Sequence, residues 1–262
     1  MDKSQVLETI KLVREFSKQR KFSQTFDLII TLKALNLKKP EENIDLFINL
    51  PNICGKQPKI CAMVGKELSE QAGVFDMVVQ QEEFPKYAEK KLAKKLASEY
   101  DFFIAQANLM AQVATSFGKI LGPRDKMPNP KAGAVVPPGA DLEQLKQRLS
   151  KLIRLKTKKE LIVKSSIAKE SMKDEEIAEN FLTAYNALTH SLPQEEGNIK
   201  QVFLKLTMSP AIMIGETKEQ IESRIARKQE VKKEKQEKRE KSASIKRTES
   251  ISKKGMKNET RI

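Results

Sequence analysis

Apolar residues recur along this chain in three successive patterns, and each predicts a different kind of element. Between Lys3 and Gln19, Val6, Ile10, Val13 and Phe16 fall at helical spacing among Lys, Arg and Glu, which predicts an amphipathic opening helix. It ends in the basic run Lys18, Arg20, Lys21. From Phe22 to Leu35, Leu28, Ile30 and Leu32 alternate with Asp27, Ile29 and Thr31. From Asn43 to Leu50, Ile44, Leu46, Ile48 and Leu50 alternate with Asn43, Asp45, Phe47 and Asn49. Period two predicts half-exposed strands, and the turn holding Lys38, Lys39 and Pro40 predicts that these two pair antiparallel. After Pro51 short apolar runs without alternation take over: Ile60 to Val64, Phe75 to Val79 and Phe102 to Ala107. They are separated by helical segments ending near Gly73, over Pro85 to Tyr100 and over Asn108 to Leu121. Strands of that kind pair in parallel with both faces covered, and a helix from Asp141 to Ile153 closes the unit.

From Arg154 the alternating pattern returns, in Leu161 to Ser165 and again in Gln201 to Ser209, with a helix from Asp174 to Leu192 between them capped by Asp174. A switch of pattern followed by a return predicts a discontinuous domain. The fold class expected is an α+β split domain, residues 1–57 and 155–216, holding an inserted three-layer, Rossmann-like α/β domain, residues 58–154. Its two connections, near Gly55 to Pro58 and Ile153 to Lys156, would form a hinge. Past Thr217 the chain is rich in Lys, Glu and Arg. Ile221 and Ile225 extend a helical turn or two, but beyond Lys228 nothing can form a core. Residues 217–262 are therefore expected to be a basic, largely disordered tail, serving as a solubilising spacer or an RNA contact.

The stretch from Gly118 to Gly139, GKILGPRDKMPNPKAGAVVPPG, stands out within the middle region. Its Gly and Pro content excludes a long helix or a central strand. Its only acidic residue is Asp125, against Lys119, Arg124, Lys126 and Lys131, so it reads as a phosphate-facing loop or as a surface insertion.

Charge strengthens the nucleic-acid reading. The 262 residues carry a formal net charge of +14, and an excess of that size favours a polyanionic partner through counterion release. Residues 217–262 hold 16 Lys and Arg against 8 Asp and Glu, so the tail is the most basic part. The two cysteines, Cys54 and Cys61, and the single His190 cannot supply a zinc site, and reduced, buried thiols in a cytosolic protein are the expectation. No apolar stretch approaches membrane-spanning length and no signal-peptide core opens the chain, so a soluble protein that is not exported is expected.

Enzyme signatures are missing. Gly118-Lys119, Gly65-Lys66 and Gly55-Lys56 lack the Ser/Thr and upstream glycine of a P-loop, no GxGxxG follows Val64, and His190 has no nucleophile elbow. Neither a metal nor a cofactor is expected. Lys21 and Phe22, by contrast, join the first helix to the first strand, and a ring at such a boundary either caps the core or packs on a sugar or base while lysine takes phosphate. Met208, Ser209 and Pro210 break the last strand abruptly. Should that strand neighbour the first, Lys21, Phe22 and Thr25 would meet Thr207 to Pro210 in one polar patch.

Three segments in this order, KFSQTFDLIITL at Lys21 to Leu32, LGPRDKMPNP at Leu121 to Pro130 and LTMSPAIMI at Leu206 to Ile214, resemble the L-one family of large ribosomal subunit proteins, the stalk protein beside the tRNA exit site. KKPEENIDLFINLP, DEEIAENF and NIKQVFLKLTM resemble its archaeal type. The resemblance covers about residues 1–215. It implies a non-catalytic protein of the cytoplasmic ribosome, monomeric when free, with large-subunit rRNA, exit-site tRNA and its own mRNA as partners and no membrane. It places Lys21, Phe22, Thr25 and Asp27 in a first RNA-binding segment, Lys164 and Lys169 in a middle one, and Thr207, Met208, Ser209 and Pro210 in a last one. Lys119, Arg124, Lys126 and Lys131 become a secondary surface facing RNA or tRNA. Asp125 and Ser209 depart from it, each standing where the family usually has glycine. A ribosome-biogenesis factor of the same fold is the alternative.

Overall fold

The computed structural model describes residues 1–227 except Pro40, Glu41, Lys56, Glu70 and Lys159. In chain order the elements are α1 (Lys3–Glu15), β1 (Thr25–Leu32), β2 (Asp45–Asn49), β3 (Ile60–Val64), β4 (Met77–Gln80), α2 (Lys90–Glu99), β5 (Phe102–Gln106), α3 (Met110–Leu121), β6 (Val135–Val136), α4 (Leu142–Ser150), β7 (Leu152–Lys156), β8 (Ile162–Lys169), α5 (Asp174–Ser191), β9 (Ile199–Leu206) and β10 (Ile212–Met213). Short 3₁₀ turns fill much of the space after β3 and β4. Two compact units result, Met1–Ile214 and a second beginning at Gly215.

Residues from both ends of the first unit build one antiparallel sheet in the order β10-β9-β1-β8. Strict alternation in β1 buries Phe26, Leu28, Ile30 and Leu32 on the side where α1 and α5 pack. Opposite them lie Val6, Ile10 and Val13 of α1 and Ile177, Phe181, Ala184 and Leu188 of α5. Each such side chain contributes about 1.5–3 kcal/mol on full burial, so β1 is a firm base for whatever its other face carries. Both edges of β1 are occupied, by β8 and β9. That leaves β2 no edge there, and it pairs instead with β7, Asp45 opposite Lys156 and Asn49 opposite Leu152. The expected pairing of the first two strands is thereby corrected, and the stretch at Ile153 to Lys156 is a strand, not a plain connection. Pro40 of the expected turn lies outside the described residues.

The second sheet, β4-β3-β5-β6, is parallel throughout. All five residues of β3 are buried because helices cover both faces. Ile60, Ala62 and Val64 join Leu142 and Leu149 of α4 in one cluster, while Cys61 and Met63 join Leu96 of α2 and Phe117 of α3 in the other. The basic helix is shorter than its pattern suggests. It starts at Lys90, because Pro85 lies in the preceding 3₁₀ segment Gln81–Ala88, having no N–H to give an α-helical turn. Similarly α4 stops at Ser150, where Leu152, Ile153 and Leu155 are drawn into β7. Its N-cap is Asp141, accepting from the N–H groups of Glu143 at 3.0 Å and Gln144 at 3.3 Å. Asp174 is the first residue of α5 and not its cap. Its carboxylate accepts from Nε of Arg14 at 2.9 Å.

In the second unit residues 218–227 form a helix, in keeping with the spacing of Ile221 and Ile225. The remainder of the expected tail, residues 228–262, lies outside the described residues.

Candidate RNA interface

The open face of the antiparallel sheet brings together residues far apart in sequence. β9 lies against β1, so Thr25 and Thr207 meet at the strand ends. The N–H of Thr25 donates to Oγ1 of Thr207 at 3.2 Å, the two hydroxyls are 3.0 Å apart, and the N–H of Thr207 returns to the carbonyl of Thr25 at 3.1 Å. Next to them Gln24, only 1% exposed, ties three elements together. Its Oε1 accepts from the N–H of Met208 at 3.1 Å, its own N–H donates to Oε2 of Glu170 at 3.1 Å, and its Nε2 reaches Oγ of Ser17 at 3.2 Å. Arg14 secures the same corner from α1, donating to the carbonyls of Glu170 at 2.8 Å and Met172 at 2.9 Å.

On this fixed frame stand the two most solvent-exposed large apolar side chains among the described residues, Phe22 at 54% and Met208 at 60%. Phe22 is therefore no cap on the core. Lys21 is exposed beside it. Along the sheet, Asp27 pairs with Lys205 on one side and Ser166 on the other, while Lys164 lies opposite Ile29 and Lys169 opposite Thr25. A bulge makes that possible. The register shifts between Phe26 and Asp27, which leaves Ile167 unpaired in the ladder and returns Lys169 to the open face. The freed carbonyl of Ile167 is satisfied by Nδ2 of buried Asn180 at 2.9 Å and the thiol of Cys54 at 3.2 Å. The stem of Lys169 runs over Gly55, where φ is +83° and an added Cβ would come within 2.7 Å of Lys169 Cδ. Only glycine fits there.

Burial pushes the Asp27 carboxyl above its ordinary range, with Lys205 pulling it partly back. A carboxylate amid cations repels phosphate but accepts from hydroxyl and amino groups. A carboxylate and two threonine hydroxyls are groups that can pair with 2′-hydroxyls and base edges, lysines such as Lys21, Lys164 and Lys169 can take phosphate, and an exposed ring such as Phe22 can stack. Ser209 does not hold a left-handed backbone, so its turn needs no glycine. Its hydroxyl accepts the N–H of Leu206 at 2.8 Å and closes the turn that carries Met208 and Pro210.

The loop after α3 is placed differently. Gly118 to Leu121 belong to the last turn of α3, and Val135–Val136 pair with β5. Arg124 donates Nη1 to Oγ of Ser98 at 2.9 Å, and Lys126 donates Nζ to the carbonyls of Ala97 at 3.1 Å and Tyr100 at 2.7 Å. Lys126 thereby serves the C-terminal end of α2, whose last carbonyls lack helical partners, while Arg124 is tied to a hydroxyl on the same helix. Lys119 and Lys131 are exposed. Asp125, at φ +58°, does occupy a left-handed position, which Asp tolerates. Its carboxylate meets Nζ of Lys156 at 2.7 Å and its carbonyl accepts from Arg154 at 3.1 Å.

The largest of the described cavities holds no cluster of catalytic groups. At about 930 Å³, it opens at the carboxyl ends of β3, β4 and β5, lined by amides such as Gln80, Gln106 and Gln112, and the charge of Lys66 at its mouth is taken by Glu82 at 2.7 Å. Burial pushes the Cys54 thiol to about 11 and the Cys61 thiol to about 12, so neither is a nucleophile. Among the described residues no cluster of His, Cys, Asp or Glu could hold a metal ion, and no helix is long and apolar enough to cross a membrane.

The profile of the Ribosomal protein L1p/L10e family matches residues 13–210, which spans the strand-end patch from α1 to Pro210. The chain belongs to that family. Its relatives include the large ribosomal subunit protein uL1 of Methanothermococcus thermolithotrophicus, 38% identical over 216 residues covering 82% of this chain and 99% of that one. The uL1 of Nanoarchaeum equitans is 42% identical over 215 residues, 79% and 98% of the two chains. That of Thermococcus kodakarensis is 37% identical over 216 residues, 81% and 98%. The family is one of ribosomal proteins, not of enzymes, and its match stops before the basic tail.

Of the patch, sequence reasoning identified the exposed and polar residues. It missed Gln24, Arg14 and Glu170, which position them, and marked Gly55 only as the start of a connection. Only Gly55 carried a signal, as a lone glycine between the predicted elements.

Proposed function

We propose that this protein is a structural, non-catalytic component of the large ribosomal subunit, working in the cytoplasm and holding a folded segment of rRNA against the open end of its antiparallel sheet. The observation that carries the reading is the interlock of Thr25 with Thr207 over buried Gln24, which presents Phe22 and Met208 to solvent on an otherwise polar, cationic face. Such a patch suits recognition of shape, 2′-hydroxyls and unstacked bases better than duplex sequence. Lys21, Thr25, Asp27, Lys164, Lys169, Ser209 and Pro210 complete the site.

In this reading residues 1–57 and 155–216 act as the rRNA-gripping domain, residues 58–154 as an inserted domain, and 217–262 as a basic extension. The membership of the two four-stranded sheets supports the division, since one draws on both ends of the first unit and the other only on its middle. The domain pair moves with the ribosomal stalk and assists departure of deacylated tRNA, and the same patch grips a stem in the protein's own mRNA to repress its translation. Free of the ribosome the protein is a monomer. Fractionating ribosomes on a sucrose gradient tests the central statement. Retention on mature large subunits is the expected outcome, and presence only on precursor particles would transfer the protein to the biogenesis factors.

A further inference from the structure

The cations of the parallel-sheet region do not gather on the loop; they gather on α2. Ala93, Leu96 and Ala97 face inward, while Lys90, Lys91, Lys94 and Lys95 are all exposed. At about 100° per residue these four lysines span an arc of about 140°, and Ser98 falls inside that arc. Ser98 is where Arg124 is moored, by a 2.9 Å bond from Nη1, with a second bond to the carbonyl of Lys94 at 3.4 Å. Arg124 is thus held on the same face by Nη1, and among the described residues its Nε and Nη2 make no hydrogen bond. Among the described residues no carboxylate forms an ion pair with any of these five cations, whereas neighbouring Lys86 is paired with Glu83 at 3.4 Å.

This arrangement works against the helix itself. Lys90 with Lys94 and Lys91 with Lys95 set like charges one turn apart, and Lys90 and Lys91 occupy the first turn, where the helix dipole disfavours cations. A polyanion laid along the face relieves both penalties. The outer face has no aromatic belt that would suit a membrane, and Arg124 is fixed in a position where its fork can take a phosphate bidentately.

We propose that the exposed face of α2 together with Arg124 is a second RNA surface, which takes the sugar–phosphate backbone without reading sequence. The inference rests on the RNA-binding reading above, with the strand-end patch supplying discrimination and α2 supplying salt-sensitive attraction. Its test is a salt series of equilibrium binding, full-length protein against a large-subunit stalk rRNA fragment and a random RNA of equal length. The variant is K90Q/K91Q/K94Q/K95Q, since glutamine keeps helix propensity. Its logarithmic salt slope should fall by about 3, at about 0.7 to 0.9 for each of the four phosphates left without its lysine, and affinity for both RNAs should drop by the same factor. The quadruple Lys→Arg variant should keep the full slope, and R124Q alone should lose about one unit. An unchanged slope in a folded Lys→Gln variant would overturn the proposal, as would weakening confined to the cognate RNA. T207V in the same series should lose discrimination and keep its slope; should it fail to, the strand-end reading falls and the α2 surface is judged on its own slope.

Discussion

In the proposed reading Asp27 serves recognition at a cost to folding. Half-burial raises its pKa, so as a carboxylate it disfavours the folded state. A carboxyl whose folded pKa is raised contributes stability below the unfolded value and loses it as pH rises through the folded one. D27N should therefore raise the melting temperature at pH 7 while narrowing the affinity gap between cognate and random RNA. A lower melting temperature, or an unchanged gap in a binding assay, would show that the carboxylate is placed for structure. At this scale the exposed partners were legible: Phe22 beside Lys21, and Thr207 at a strand end. Gln24 was not, because its value lies in bonds to Glu170 and Met208, which are distant in sequence. Ser209 is a related case. In the sequence it stands out only as a missing glycine, whereas the backbone there needs none and the hydroxyl closes the turn.

At the scale of elements, β2 and β7 are joined by more than a ladder. Arg154 grips Asp45 through Nε at 2.7 Å and Nη2 at 2.8 Å, lies over the ring of Phe47, and reaches the carbonyl of Asp125. The hydrogen-bonded guanidinium holds the Asp45 carboxyl below its usual range, and Lys156 does the same for Asp125. The sign is opposite to that of Asp27. A depressed carboxyl gives stability that is present above the unfolded pKa and lost as pH falls through the folded one. Stability should decline below about pH 4, and D45N should flatten that decline while costing about 1–2 kcal/mol at pH 7, partly screened by solvent. Denaturant titrations at pH 3 and pH 7 check both. The pairing itself could not be read from alternation, which marks a strand but says nothing of its partner. Nor could the mooring of Arg124 and Lys126 on α2, since a loop cation looks the same whether it meets solvent or a helix end.

For the whole molecule, two kinds of sheet were visible in the sequence because burial on one face and burial on two leave different patterns. The order of the strands, the pairing of β2 with β7 and the short strands β6 and β10 had to come from the structure. Charge acts at this scale as well. Removing residues 217–262, which hold twice as many cations as anions, should weaken binding to any RNA and flatten its salt dependence while leaving the preference for cognate RNA intact. Loss of preference in a filter-binding comparison would place part of the specific site in the tail.

The most direct measurement is the dissociation constant of the full-length protein for a large-subunit stalk rRNA fragment, with random RNA as competitor, for the wild type, F22A and T207V. Specific contacts at the β1–β9 end predict a loss of about 1–3 kcal/mol in each variant with random-RNA affinity preserved, the melting temperature unchanged in F22A and lowered in T207V only by the lost hydroxyl bond to Thr25. Folded variants that bind the rRNA as tightly as the wild type would contradict the account.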